Sequence, residues 1–126
     1  MNPNKKTTIN PEGLMNAPRF GYSHAARVGD TVYCAGQVSG ADTLEKQAQE
    51  ALSNVRVLLS HAGAQVADIV KVTIYSTEED CWERTADIRR EFFLPPFPPI
   101  TMMVVKALAT PPLKIEVDVT AVVGCG

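Results

Sequence analysis

Cysteine and histidine, two residue types that often carry chemistry, are few in this chain and lie far apart. Its three cysteines, Cys34, Cys81 and Cys125, form no CxxC pair, and neither His24 nor His61 has carboxylates nearby at a metal-ligand spacing. The odd number of cysteines also argues against a disulfide framework and favours a reducing compartment. We therefore expect no metal site, no cofactor and a cytoplasmic location.

Each cysteine also has a structural interpretation. Cys34 lies in an apolar run, which is typical of a small core residue, and Cys125 lies in a Gly-Cys-Gly tail, where we expect a mobile thiol without a role. Cys81 is predicted near the start of a helix, a position that can lower a thiol pKa. Since reactivity also needs exposure, which the sequence does not give, we favour an inert Cys81.

Gly36 lies inside an apolar segment that is predicted to be a strand. A glycine within a strand marks either a bulge or the close approach of a ligand or of another backbone. Position alone favours the bulge.

Composition restricts the class of protein. The chain has 126 residues, the size of one domain, and its 45% of hydrophobic residues can form a core. Twelve basic and 14 acidic residues give a net charge of −2, which argues against nucleic-acid binding by phosphate neutralisation. No apolar run approaches the roughly 20 residues that span a bilayer, and the polar first residues do not resemble a signal peptide. We expect a single domain over 1–126, with an irregular N-terminal arm over 1–20.

The first half of the chain predicts a hairpin and a helix. Segments 24–28 and 31–38 can form strands around a Gly-Asp turn. Asp42 is a predicted N-cap, with Glu45 three residues later, and apolar residues then recur at three- and four-residue steps up to residue 62. Gly63 predicts the end of this helix.

The second half predicts a strand, a helix and two more strands. The strand covers 69–75, with Val70 on the same face as Val72 and Ile74. The helix opens at Ser76 or Thr77 and ends before the prolines of 95–99. The last strands cover 100–108 and 113–123.

The final strand alternates, with apolar residues on one face and Lys114, Glu116, Asp118 and Thr120 on the other. The predicted order is therefore β-β-α-β-α-β-β, an α+β fold in which two helices cover one face of a sheet. The second face needs another explanation.

Three segments resemble the RidA family, also called YjgF or L-PSP endoribonuclease-like. They are GYSHAARVGDTVYCAGQVS at 21–39, AQEALSNVRVLLSHAGAQVADIVKVTIY at 48–75, and PPITMMVVKAL with LKIEVDVTAVV within 98–123. The resemblance implies a chorismate-mutase-like fold. It also implies a homotrimer whose sheets pack together as a barrel, with small organic ligands bound in clefts between subunits.

The family's best-known activity is hydrolysis of enamines and imines to a 2-oxo acid and ammonia. By this resemblance Tyr22 and Gly36 line the substrate site, and Glu116 positions water or moves a proton. Without the resemblance, Tyr22 is equally a packing aromatic and Glu116 a solvated or interface carboxylate. Burial in a cleft would raise the pKa of Glu116 and suit it to acid–base chemistry.

Thr101 is where the chain departs from the active deaminases that it resembles. Those proteins carry an arginine that clamps the substrate carboxylate, whereas this chain reads Pro-Ile-Thr-Met. Losing a hydrogen bond to a charged group costs about 1.5–3 kcal/mol. The chain thus resembles a subgroup without the arginine. Arg19 and Lys106 are the nearest cationic candidates in sequence.

Met103 replaces a smaller residue usual in the family and makes the predicted cleft more apolar. Thr101 by itself is an ordinary strand residue. Two functions stay open: a deaminase-like hydrolase with a substrate other than simple 2-imino acids, and a non-catalytic small-molecule-binding or chaperone-like protective protein. We expect neither nucleic-acid nor membrane partners.

Overall fold

The computed structural model describes residues 2–126, which form a six-stranded sheet with helices on one face. The strands are β1 (Thr7–Ile9), β2 (Ala25–Val28), β3 (Thr31–Cys34), β4 (Ile69–Ser76), β5 (Ile100–Val104) and β6 (Ile115–Val122). The helices are α1 (Leu44–His61), α2 (Cys81–Arg84) and α3 (Ala86–Phe93). The predicted α+β class is confirmed. No helix within residues 2–126 combines the length and apolar character needed to cross a membrane.

The strands lie in the order β1-β2-β3-β6-β4-β5. All neighbours are antiparallel except β4 and β5, which are parallel because α2 and α3 connect them. The N-terminal arm is more regular than predicted. It contributes β1, which pairs with β2 at the edge of the sheet, and a 3-10 turn at Ala17–Phe20.

Helix α1 follows the predicted apolar repeat but begins at a different cap. The N-cap is Thr43, whose hydroxyl accepts a hydrogen bond from the Lys46 N–H at 3.2 Å, so the assignment of Asp42 is wrong. Asp and Thr are both good N-caps, and their sequence order alone does not choose between neighbours. Gly63 follows the helix with φ +83°, so the predicted stop is confirmed.

A buried amide joins α1 to the start of β6. The Gln47 side chain donates to the carbonyls of Ala41 and Pro112, each at 2.9 Å, and accepts from the Lys114 N–H at 2.8 Å. All of its polar atoms are therefore satisfied inside the fold. This contact fixes the chain immediately before Glu116.

Two elements of the second half differ from the prediction. Val70 is 38% exposed, while Val72 and Ile74 are buried, because a register irregularity between Ile69 and Lys71 inserts an extra residue. The single predicted helix after β4 is two helices, α2 and α3, separated at Thr85. The Thr85 hydroxyl donates to the Cys81 carbonyl at 2.8 Å, a local bond that competes with regular helix geometry.

The final strands are shorter than predicted, since β5 ends at Val104 and β6 begins at Ile115. Alternating residues of β6 are buried under the helices, and they are Ile115, Val117, Val119 and Ala121. The opposite side of the sheet, here called the open face, has no covering helix. Its central part carries Tyr33, Lys71, Thr73, Tyr75, Thr101, Met103, Glu116, Asp118 and Thr120.

Candidate functional site

Two carboxyl groups project from β6 onto the open face. Glu116 lies opposite Tyr75, and Asp118 lies opposite Thr73, about 7 Å further along the strand. Both side chains are half-buried. Burial, and secondarily the charge of Asp118, raises the pKa of Glu116; burial also raises the pKa of Asp118. These shifts move both carboxyls toward the range in which they exchange protons near neutral pH.

Gly36 is the residue that makes room for Glu116. It precedes Gln37, whose backbone exchanges two hydrogen bonds with Val117 at 2.8 and 3.0 Å. A Cβ atom at Gly36 would meet the Glu116 carboxylate, with only 2.5 Å to Cδ and 2.6 Å to Cγ. The glycine is therefore explained by close approach of a side chain. The bulge favoured from its position is also present, because four steps from Tyr33 to Gln37 oppose only three from Thr120 to Val117.

Tyr22 lies apart from Glu116, in a cavity of about 510 Å³ that is also lined by Lys6, Thr8 and Tyr33. Its side chain is 40% exposed. Within this chain, Tyr22 therefore borders the N-terminal arm, and its predicted role in substrate binding stays a prediction.

Contacts through His24 and Gln37 nevertheless connect Tyr22 to β6. Its ring meets the His24 ring edge-on, with 5.9 Å between centroids. His24 Nε2 donates to the Met15 carbonyl at 2.7 Å, which leaves Nδ1 to accept from the Gln37 amide at 3.2 Å. Because Gln37 also pairs with Val117, His24 acts as a structural link, with both ring nitrogens occupied.

Thr101 and Met103 lie on β5, across β4 from the two acids. Thr101 pairs with Thr73, and Met103 pairs with Tyr75. The open face thus contains two rows, Asp118–Thr73–Thr101 and Glu116–Tyr75–Met103. The structure therefore brings Gly36, Glu116, Thr101 and Met103 onto one surface, as the resemblance implies.

The cation beside Thr101 is Lys71, which sequence reasoning missed. Lys71 Nζ donates to Thr101 Oγ1 at 2.8 Å and to the Val72 carbonyl at 3.1 Å. The named candidates lie elsewhere, Arg19 in the 3-10 turn of the arm and Lys106 beyond the end of β5. A strand–helix–strand order predicts parallel neighbouring strands, and that signal would have placed β4, the strand of Lys71, beside β5, the strand of Thr101.

Tyr75 lies on this surface between Glu116 and Met103, and the other reactive groups fall outside it. The negative charge of Asp118 raises the pKa of Tyr75, so this phenol keeps its proton and can donate it in a hydrogen bond. Burial raises the pKa of Cys34 to about 12, and Cys81 is fully buried. Cys125 is exposed, with its thiol 3.4 Å from the Asp68 carbonyl. Within residues 2–126, His, Cys, Asp and Glu side chains form no cluster of three that would hold a metal.

Comparison with known proteins identifies the family. The family model described as "Endoribonuclease L-PSP" matches residues 14–123. The chain is 30% identical over 110 residues to a 2-iminobutanoate/2-iminopropanoate deaminase of Dermatophagoides farinae, covering 81% of this chain and 84% of that protein. It is 32% identical over 122 residues to the RutC family protein YjgH of Escherichia coli, covering 90% and 93%.

The fold also matches solved structures. A member of the YjgF/YER057c/UK114 family from Mycobacterium tuberculosis superposes with a TM-score of 0.86 at 31% identity, over 94% of this chain and all of that chain. The predicted chorismate-mutase-like fold, which these family structures share, is confirmed. The chain therefore belongs to the endoribonuclease L-PSP family, the RidA or YjgF family that its three segments resemble.

Proposed function

We propose that this protein is an imine or enamine hydrolase whose substrates are other than simple 2-imino acids. The observation that carries this proposal is the space left by Gly36 for the Glu116 carboxyl, whose pKa is raised by burial. The deaminase among its relatives supports the same class of reaction. If the Glu116 side chain were only solvated, the chain would not need a glycine that leaves space for its carboxyl group.

The reaction consumes one water and releases ammonia. Glu116, as the carboxylate, takes a proton from water while the water oxygen bonds to the carbon of a protonated C=N group. The same carboxyl then returns this proton to the nitrogen of the tetrahedral intermediate, and the C–N bond breaks to release ammonia. The carbonyl forms as the Glu116 carboxylate takes the hydroxyl proton and passes it to the released ammonia, which leaves as ammonium. A carboxyl with a raised pKa suits both steps, because it accepts and returns a proton at similar cost.

The charges around Glu116 support a substrate with little negative charge. Lys71 is the open-face cation that contacts Thr101, and two carboxyls, Glu116 and Asp118, share that surface with it. Thr101 accepts a hydrogen bond from Lys71, so its hydroxyl hydrogen stays available to donate to a ligand. One uncharged donor binds a carboxylate far more weakly than the fork of an arginine does.

We further propose that the working unit is a homotrimer in which the open faces of three chains pack together, with ligand clefts at their borders. Large side chains exposed on the open face support this arrangement, since Tyr33 is 55% exposed and Met103 43%. Light scattering after size exclusion at micromolar concentration should give three times the mass of the chain. A strictly monomeric mass would contradict the assembly.

An ammonia-release assay on enzymatically generated imines tests the activity. The native protein should hydrolyse imines that lack a carboxylate faster than it hydrolyses 2-imino acids. Glu116→Gln should abolish this activity. Glu79→Gln, which changes an exposed carboxylate away from the open face, is the matched control and should keep it. Thr101→Arg should shift the preference toward 2-imino acids, because it restores a carboxylate clamp.

A second candidate is a non-catalytic binding or protective protein that uses the same surface. The Lys71–Thr101 hydrogen bond favours it, because this pair closes the position where the deaminases carry their clamp. No ammonia release from any imine, with a small molecule still retained by the native protein, would support this function against the hydrolase.

A further inference from the structure

A second cavity lies on the helix side of the sheet, between α3 and the start of β5. Its volume is about 360 Å³, within the range of small-molecule sites. Aromatic and apolar side chains dominate its lining, together with two arginines, and they include Trp82, Phe93, Phe97, Ile100, Arg89 and Arg90. Within residues 2–126 no carboxylate lines it, so the charge of this cavity is entirely positive.

Arg89 is buried there without a counter-charge. Its residue is 9% exposed, and its guanidinium stacks over the Trp82 ring at 3.5 Å from the centroid. Nη2 donates to the Trp82 carbonyl at 2.8 Å, and Nε donates to the Thr85 hydroxyl at 3.5 Å. Both acceptors are neutral, and in the described part of the chain no carboxylate oxygen lies within 4 Å of Arg89.

Such an arrangement is unusual for a purely structural arginine. Removing a guanidinium from water is costly unless an anion compensates it, and burial accordingly lowers the pKa of Arg89. The stack on Trp82 orients the group but supplies no negative charge. The neighbouring Arg90 has the usual environment of an arginine, since it is exposed and paired with Asp87 at 2.7 Å.

We propose that this cavity binds a small organic carboxylate with an apolar body. The carboxylate accepts hydrogen bonds from Arg89, which uses two of its five N–H donors within the chain and keeps the others for a ligand. The body of the ligand packs against Phe97 and Ile100. Because Arg90 is paired with Asp87, the lining offers one guanidinium without a carboxylate partner, that of Arg89. It matches a singly charged carboxylate better than a doubly charged, strongly hydrated phosphate. The site is separate from Glu116, which lies on the other face of the sheet.

The protein contains a built-in probe for this site. Trp82 is its single tryptophan, and it stacks directly on Arg89, so its fluorescence reports binding there. We expect a saturable change on titration with benzoate and at least tenfold weaker binding of benzamide, which has the same ring without the charge. Equal responses to the two compounds, or no saturable response to benzoate, would overturn the proposal.

Substitutions separate ligand binding from helix packing. Arg89→Gln should weaken benzoate binding at least tenfold, whereas Arg56→Gln should not change it, because Arg56 stacks on Phe92 at 5.0 Å outside this cavity. Retained benzoate affinity in Arg89→Gln would refute the role of the guanidinium.

Two further variants keep the test decisive if Arg89→Gln fails to fold. Phe97→Ala changes a side chain that is 53% exposed and leaves the arginine in place. It should still weaken benzoate several-fold, and unchanged affinity would contradict the site. Glu116→Gln should leave benzoate binding intact, so the failure of the hydrolase proposal and the failure of this one give different results.

Discussion

Replacing Gly36 with alanine tests whether this glycine exists to place the Glu116 carboxyl. The new methyl group would occupy space that the Glu116 side chain now fills, and Cδ and Cγ would lie 2.5 and 2.6 Å from it. Gly36 has no left-handed φ, so alanine fits its backbone. The methyl group must therefore move the Glu116 side chain rather than the strand.

The balance of energies predicts a nearly unchanged stability. Forcing Glu116 into a poorer rotamer costs about 0.5–1.5 kcal/mol. Alanine offsets about 0.4–1 kcal/mol of this by restricting the unfolded chain. The free energy of unfolding should then change by less than about 1 kcal/mol, well below the roughly 2–5 kcal/mol of a large core truncation.

Activity should respond very differently from stability. A carboxyl displaced by about 1 Å can lower a rate by roughly 100-fold, so ammonia release in Gly36→Ala should approach that of Glu116→Gln. Thermal unfolding, the side-chain carboxyl titration of Glu116 by NMR and the ammonia assay are the three readouts. Gly40→Ala is the control, because a Cβ there meets nothing within 4 Å. Full activity with an unchanged Glu116 titration in Gly36→Ala would refute the reasoning.

Three further predictions concern a neighbour of Glu116, a capping carboxylate and the core under the sheet. Asp118→Asn should lower the pKa of Glu116 in an NMR titration, because it removes a neighbouring negative charge. Folding raises the pKa of both acids, so the free energy of unfolding falls as pH rises through their titration range. Asp118→Asn should make this fall with pH less steep. Asp68→Ala should cost about 1–3 kcal/mol in denaturant unfolding at pH 7, because the Gln65 N–H loses its acceptor at 2.9 Å. The pKa of Asp68 is lowered by that bond, so its contribution is present above the ordinary carboxyl pKa and the deficit should shrink as pH falls. Leu58→Ala, at a fully buried position of α1, should cost about 2–5 kcal/mol by the same measurement.

The elements that the sequence predicts well are those with a strong periodic pattern. The apolar repeat of α1 and the alternation of Ile115, Val117 and Val119 both correspond to buried residues. Errors arise where a single local interaction decides the outcome. The N-cap of α1 is Thr43 and not its neighbour Asp42. One register irregularity in β4 leaves Val70 exposed instead of buried with Val72 and Ile74. These outcomes depend on differences of about 1 kcal/mol between similar local structures.

The candidate site shows the same division. The resemblance places Glu116, Thr101 and Met103 on one surface, because alternation in a strand determines which residues share a face. The Gly36–Glu116 contact, the Lys71–Thr101 hydrogen bond and the buried Arg89 could not be read in this way. They join residues from different elements, so their distances depend on the packed fold and not on spacing along the chain.

The position of β6 has a consequence for the synthesis of the protein. β6 follows every other strand in the chain, yet it lies between β3 and β4, where Tyr33 pairs with Thr120 and Tyr75 with Glu116. Until β6 leaves the ribosome, the segments before it have no central strand to pair with, and the apolar side of α1 remains a target for chaperones. Since Glu116 and Asp118 lie on that strand, a nascent chain gains these two carboxyls of the open face only in the step that completes the sheet.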